Sequence, residues 1–247
     1  MGRMEFLVEI KEFEILLKKY LEELDIKLNS EQILKFYNYM NLLIEWNKKL
    51  NLTAIIDPKD IIIKHFVDSL AISKYIEENA KIIDVGTGAG FPGIPLKIYR
   101  NDIEVTLLDS LNKRINFLNY AIESLNLKKI KTIHGRAEDY AREKSYREEF
   151  DIATSRAVAN MSTLSEYLIP YVKVNGMVIA MKGSDIDEEI KCAGNAIKIL
   201  GGKITNIDEF ELPGTDARRS IVCIKKIKET SSKYPRKAGI PAKEPLY

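Results

Sequence analysis

Apolar residues recur at spacings of three and four along the first third of the chain: Phe6, Ile10, Phe13, Leu17 and Leu21, then Ile33, Phe36, Tyr37, Met40 and Leu43. This is the period of a helix with one buried face, so two amphipathic helices are predicted. A third has a defined start, because Asp57 suits the cap, Pro58 the first helical position, and Asp60 lies three residues after the cap. It carries KHFVDSLAISKY. From Lys81 the pattern changes to short apolar runs between helical stretches: KIIDV, IEVTLLD, IKTIH, FDIATS, GMVIAMK, ITNIDEFEL and RSIVCIKKI. About seven strands alternating with helices predict right-handed crossovers and a mostly parallel, Rossmann-like α/β sheet. Only PGTDAR separates the last two runs, too little for a crossover helix, so they should pair as an antiparallel hairpin.

Composition narrows the class. Of 247 residues 45% are hydrophobic and 30% charged, enough for a sizeable core and too apolar for a disordered chain. Three parts are expected: a helical region, 1–76, packed on an α/β core, 77–228, and a basic C-terminal arm, 229–247. No apolar run approaches the roughly 18 to 20 residues of a membrane span, and acids interrupt the first apolar stretch as they do not in a signal peptide. A cytoplasmic location is expected. Cys192 and Cys223 are too few for a disulfide framework or, unaided, a structural zinc site, and no metal or redox role is expected.

The net charge of +2 conceals an asymmetry. From Lys225 onward, Lys225, Lys226, Lys228, Lys233, Arg236, Lys237 and Lys243 face only Glu229 and Glu244. Pro235, Pro241, Pro245 and Gly239 make this end read as an extended arm rather than a helix. Such an arm suits a phosphate backbone, and equally a solvated tail.

The sharpest local signal is IIDVGTGAGFPGIPL, an apolar strand running through Asp84 into Gly86, Gly88, Gly90 and Gly93. Residues 88–93 spell GxGxxG, the dinucleotide fingerprint, and Asp109 follows at the end of the next strand. Residues 86–90 spell GxGxG, as in class I methyltransferases that bind S-adenosylmethionine, and this reading is preferred. Phe91 and Pro92 delay the helix whose N-terminus a pyrophosphate needs. Asp84 places a carboxylate by the turn, which suits an amino-acid and sulfonium ligand. Asp109 can accept ribose hydroxyls in either case. After the third strand, HGRAED places Glu138 and Asp139 where an adenine edge could be bracketed, and Arg156 ends the fourth strand at the ligand edge of the sheet.

The chain resembles the ribosomal RNA small subunit methyltransferase G family, also called glucose-inhibited division protein B. WNKKLNLTAI, KHFVDSL, DVGTGAGFPGIPL, LLDSLNKRINFL, GRAED, SRAVA, MKG and YPRKAGIPAKEPL carry the resemblance, in that order. It implies a class I methyltransferase fold with an added N-terminal helical region. It also implies methyl transfer from S-adenosylmethionine, leaving S-adenosylhomocysteine, to N7 of a guanine in 16S ribosomal RNA. Carried over by motif, the cofactor contacts are Gly86, Phe91, Ala137, Glu138 and Arg156; Asp84, Gly88 and Asp109 join them from the reading of the residues.

Guanine N7 exposes a lone pair and carries no proton, so attack on a sulfonium methyl needs no general base, and positioning supplies the catalysis. No catalytic residue is expected beyond positioning by Arg156 and Lys182. His65, Asp68 and Ser69 lie within one helical turn and imitate a hydrolase triad, but no GxSxG elbow accompanies them, so His65 reads as structural or substrate-positioning and His134 as a strand-end residue. Lys182, Arg218, Arg219, Arg236 and Lys237 are candidates for RNA phosphate, with Tyr234 able to stack. Trp46 reads as packing. The expected partner is small-subunit RNA or the small subunit itself, with no obligate protein partner and a monomeric chain. Alternatives are a small-molecule methyltransferase, a nicotinamide-dependent oxidoreductase and a non-catalytic RNA-binding module.

Overall fold

The computed structural model describes residues 9–156 and 158–246; Phe6, and Ala157 of the SRAVA motif, lie outside the described residues. The first two helices are α1, Ile10–Glu22, and α2, Ser30–Leu50. Asn29 caps α2 through a reciprocal pair with Gln32, whose side chain also donates to Tyr99 O at 2.8 Å. The third helical segment begins where the cap residues predict, with Asp60 N donating to Asp57 Oδ1. It is not one regular helix. It runs as α3, Pro58–Ile61, a π segment, Ile62–Val67, and α4, Asp68–Leu70. Apolar spacing does not reveal such a widened turn, because the same face stays buried.

Seven strands form one sheet: β1 Lys81–Val85, β2 Glu104–Asp109, β3 Ile130–His134, β4 Phe150–Arg156, β5 Val172–Lys182, β6 Gly202–Glu211 and β7 Arg218–Lys226. Their order is β3-β2-β1-β4-β5-β7-β6, and β7 runs antiparallel to both neighbours. The hairpin is therefore present as predicted. The intervening helices are α5 Gly93–Tyr99, α6 Asn112–Ser124, α7 Ala137–Tyr140, α8 Met161–Leu168 and α9 Asp187–Leu200, and α10, Ile240–Lys243, closes the chain. Strand order reverses between β1 and β4, so a crevice opens at their carboxyl ends.

One apolar cluster joins the N-terminal helices to a sheet face, with Phe13, Phe36 and Phe66 packed together with Ile82, Leu107, Ile179 and Ile221. The opposite face carries Phe150, Leu164, Tyr171 and Ile197, with Tyr234 and Leu246 of the C-terminal segment against it. That segment is not a free extended arm. Pro235 and Pro241 are buried, and α10 is one turn of helix where none was expected, started at Gly239 with φ +83.

Candidate active site at the glycine turn

The turn after β1 is held from two sides. Gly86 and Thr87 donate their amides to Leu108 O at 2.8 and 3.1 Å, and Gly88 N donates to Asp109 Oδ2 at 2.9 Å. From beneath, Asp84 Oδ2 accepts Thr87 Oγ1 at 2.6 Å and Gly93 N at 2.8 Å. Gly86 and Gly88 have φ of +70 and +63, the left-handed region that glycine adopts without cost. A Cβ on Gly88 would meet no atom within 4 Å, so the backbone there borders open space.

Asp84 does not face a ligand, contrary to what its place beside the glycine turn predicts. It is fully buried, braces the turn, and does not line the cleft, so the structure gives it a scaffold position rather than one facing a ligand. Burial, with Oδ1 unpartnered among the described residues, pushes its carboxyl up to about 6 despite the Thr87 and Gly93 hydrogen bonds.

A cleft of about 690 Å³ opens above the turn, lined among others by Thr53, His65, Gly86, Gly88, Phe91, Asp109, Arg156, Lys182 and Arg219. Beside it lies a recess of about 220 Å³, lined by Ala137, Glu138, Tyr167 and Ala242. Gly86, Asp109, Ser110 and Val158 border both. Asp109, at the junction, accepts from Leu111 N, Gly88 N and Arg114 Nη1, which leaves about one of its four acceptor positions.

Arg156 is held from the N-terminal helices. In the π segment Asp68 N bonds Ile63 O and His65 O, so Lys64 O is skipped, and Arg156 Nη1 donates to it at 3.1 Å. The same Nη1 meets Asp68 Oδ2 at 2.9 Å, and Nη2 meets His65 Nδ1 at 3.0 Å. Guanidinium only donates, so His65 Nδ1 is the acceptor and Nε2 carries the proton that faces Thr53 Oγ1 at 3.0 Å. Burial and the adjacent Arg156 charge pull the His65 pKa down to about 3. Its ring stacks on Phe91 at 4.2 Å, and the Arg156 guanidinium sits 5.0 Å from the centre of the Phe91 ring. Ser69 Oγ donates to His65 O, not to the imidazole, so the apparent triad has no relay.

Residues 32–222 match the profile of rRNA small subunit methyltransferase G. The chain belongs to this family. Relatives named Ribosomal RNA small subunit methyltransferase G include one from Desulforamulus reducens, 55% identical over 94% of this chain and 98% of the relative. Another, from Clostridium perfringens, is 56% identical over 94% of this chain and 98% of the relative. Among solved structures, a SAM dependent methyltransferase from Aquifex aeolicus aligns with TM-score 0.51 at 16% identity, over 73% of this chain and 97% of that one. M. jannaschii TYW2 in complex with AdoMet aligns with TM-score 0.52 at 14% identity, over 65% and 75%. These two likenesses concern the fold.

Of the contacts expected from membership in the methyltransferase G family, Gly86, Phe91 and Arg156 meet in the cleft, while Ala137 and Glu138 meet in the recess. The cationic candidates divide. Lys182 is tied to Ala159 O at 2.8 Å and Glu189 at 2.6 Å, with its side chain 12% exposed, so it is neither solvated nor free for phosphate. Arg236, expected to meet RNA phosphate, instead closes its fork on Glu166, at 3.0 and 2.7 Å, and that glutamate is wholly buried. Arg219 shares Asp68 with Arg156, at 3.1 Å, and lines the cleft. Arg218 and Lys237 are exposed. Thr53, Asp68, Val158 and Ala242 were not among the residues the sequence singled out for the site; their places depend on distant segments meeting. His134 Nε2 bonds Ser110 O at 3.1 Å as a strand-end residue, and Trp46 packs on Phe117 and Tyr120. Among the described residues no helix is long and apolar enough to cross a membrane.

Proposed function

We infer that the protein methylates N7 of a guanine in 16S ribosomal RNA with S-adenosylmethionine as donor. The observation that carries the reading is the open glycine cradle at Gly88, beside a cleft in which Arg156 is fixed and, among the described residues, no side chain is poised as a base. The residues fit the cofactor: a Cβ at Gly88 would occupy space a ligand needs, Asp109 retains an acceptor position, and Glu138 closes the side recess. When bound, S-adenosylmethionine supplies a methyl group activated by sulfonium.

The protein's own part is positional. Phe91 packs its ring against the His65 imidazole and the Arg156 guanidinium, which are bonded to each other, and forms an apolar wall of the cleft. His65, neutral and with both nitrogens engaged, neither takes nor gives a proton, which suits an acceptor atom that has none to lose. Arg219 presents positive charge at the same mouth, where a nucleotide's phosphate or base edge would arrive. Lys237 and Lys233 offer exposed charge on the C-terminal segment for the RNA backbone.

Tritiated S-adenosylmethionine incubated with unmodified small-subunit RNA, small-subunit particles, and a panel of small acceptors tests the reading. Label in 16S ribosomal RNA supports it. Label only in small molecules contradicts it.

A further inference from the structure

The C-terminal segment was expected to meet RNA, yet its main polar contacts point inward to one place. Arg142 and Arg147 donate to the carbonyls of Pro235, Tyr234 and Thr230, at 2.5, 2.8 and 2.6 Å. Arg236 is forked onto the buried Glu166 of α8, and its backbone amide donates to the same carboxylate at 2.7 Å. Thr163 Oγ1, also on α8, donates to Pro241 O at 3.0 Å. Between these anchors, Gly239 N donates to Glu138 Oε1 at 2.7 Å, and Ala242 lines the recess that Glu138 also lines.

We propose that residues 239–242 are part of the nucleoside-binding site, forming the outer wall of the recess where the adenine of the cofactor sits. This rests on the methyltransferase reading above. Glu138 is 3% exposed, and among the described residues its Oε2 makes no hydrogen bond while Oε1 is held by the Gly239 amide. A carboxylate fixed by one oxygen offers the other in a set direction, and the group it suits is a donor such as the exocyclic amine of adenine. The segment thereby sets base preference: an amine at this position is accepted and a carbonyl, as in hypoxanthine, is rejected. Arg236 belongs to the anchoring of this wall rather than to RNA contact, while Lys233, Lys237 and Lys243 point charge outward from its exposed side.

Calorimetric titration of the full chain with S-adenosylhomocysteine and 5′-methylthioadenosine tests the proposal against two variants. One lacks residues 239–247 and keeps the Arg236 anchor; the other is Ala242→Phe in the full chain, which narrows the recess without removing an anchor. Each should bind both ligands at least tenfold more weakly while melting cooperatively. Combining Glu138→Ala with the deletion should cost less than the product of the two separate losses, because both remove the same element. Wild-type affinity in the folded Ala242→Phe protein, or a deletion that weakens only RNA binding, overturns the wall. If the unaltered chain binds neither ligand, the methyltransferase reading itself fails, a result distinct from either.

Discussion

Arg156 Nη2 lies 3.0 Å from His65 Nδ1, and that single contact assigns the proton of the imidazole to Nε2. His65 comes from the N-terminal helices and Arg156 from the end of β4, so the helical region is a component of the site and not an appendage. Asp68, one turn further on, divides its two oxygens between Arg156 and Arg219. Two guanidinium groups at the cleft therefore owe their positions to one buried carboxylate.

Replacing that carboxylate is predicted to be severe. In Asp68→Ala, Arg156 and Arg219 lose their shared counter-charge, and removal of one member of a buried ion pair costs about 3 to 5 kcal/mol. Asp68→Asn keeps the volume but not the charge, and offers one acceptor where two guanidinium groups donate, so it should recover only part of the stability and leave transfer slowed. Urea midpoints and single-turnover rates on the same preparations separate the two effects.

The pH dependence of stability has a worked sign. His65 has an ordinary value of 6.5 and about 3 in the fold, so its contribution is complete above about 6.5 and is lost as pH falls toward 3. Asp84 runs the other way: raised from 3.8 to about 6, it favours the fold at low pH and that contribution is lost as pH rises through 6. Between pH 4 and 6 the slopes oppose, each bounded by about 1.4 kcal/mol per pH unit. Asp84→Asn should therefore gain stability from pH 4 to 6, and His65→Gln should lose it. Urea midpoints at pH 4, 5 and 6 check this; parallel curves for both variants and the unaltered chain would contradict it.

Gly88→Ala places a methyl group where the protein leaves open space, at φ +63, where a side chain costs about 1 to 2 kcal/mol. The protein should still fold, with S-adenosylhomocysteine affinity down tenfold or more by calorimetry. Undiminished affinity would place the cofactor elsewhere.

Arg236→Ala leaves the wholly buried Glu166 without its fork, so a loss of about 3 kcal/mol in unfolding free energy is expected. Filter binding at two salt concentrations should give the folded variant the same salt slope as the unaltered chain, since no phosphate contact is removed. A slope reduced by about one would return Arg236 to the RNA surface.

Much of the architecture was legible because alternation and short connectors report on local geometry. The strand from Lys81 to Val85, the glycine turn and the PGTDAR hairpin each follow from residues adjacent in sequence. The π segment was not legible, since widening by one residue leaves Ile62, Phe66 and Val67 buried as a regular helix would. Charge was the least informative signal. Lys182 and Arg236 read as free cations, yet Glu189 and Glu166, the latter 70 residues away in sequence, neutralise them. Asp84 shows the same limit, since a carboxylate beside a glycine turn can face the ligand or the turn, and here it faces the turn.

The central claim is methylation at one guanine N7, and the most direct measurement maps it. Unmodified small-subunit RNA and particles would be treated with the protein and S-adenosylmethionine, then reduced and cleaved with aniline, which breaks the strand at N7-methylguanine. One strong new cleavage, lost in Arg156→Ala, is the predicted result. A protein that binds S-adenosylhomocysteine but produces no cleavage on either RNA or particles would contradict the assignment.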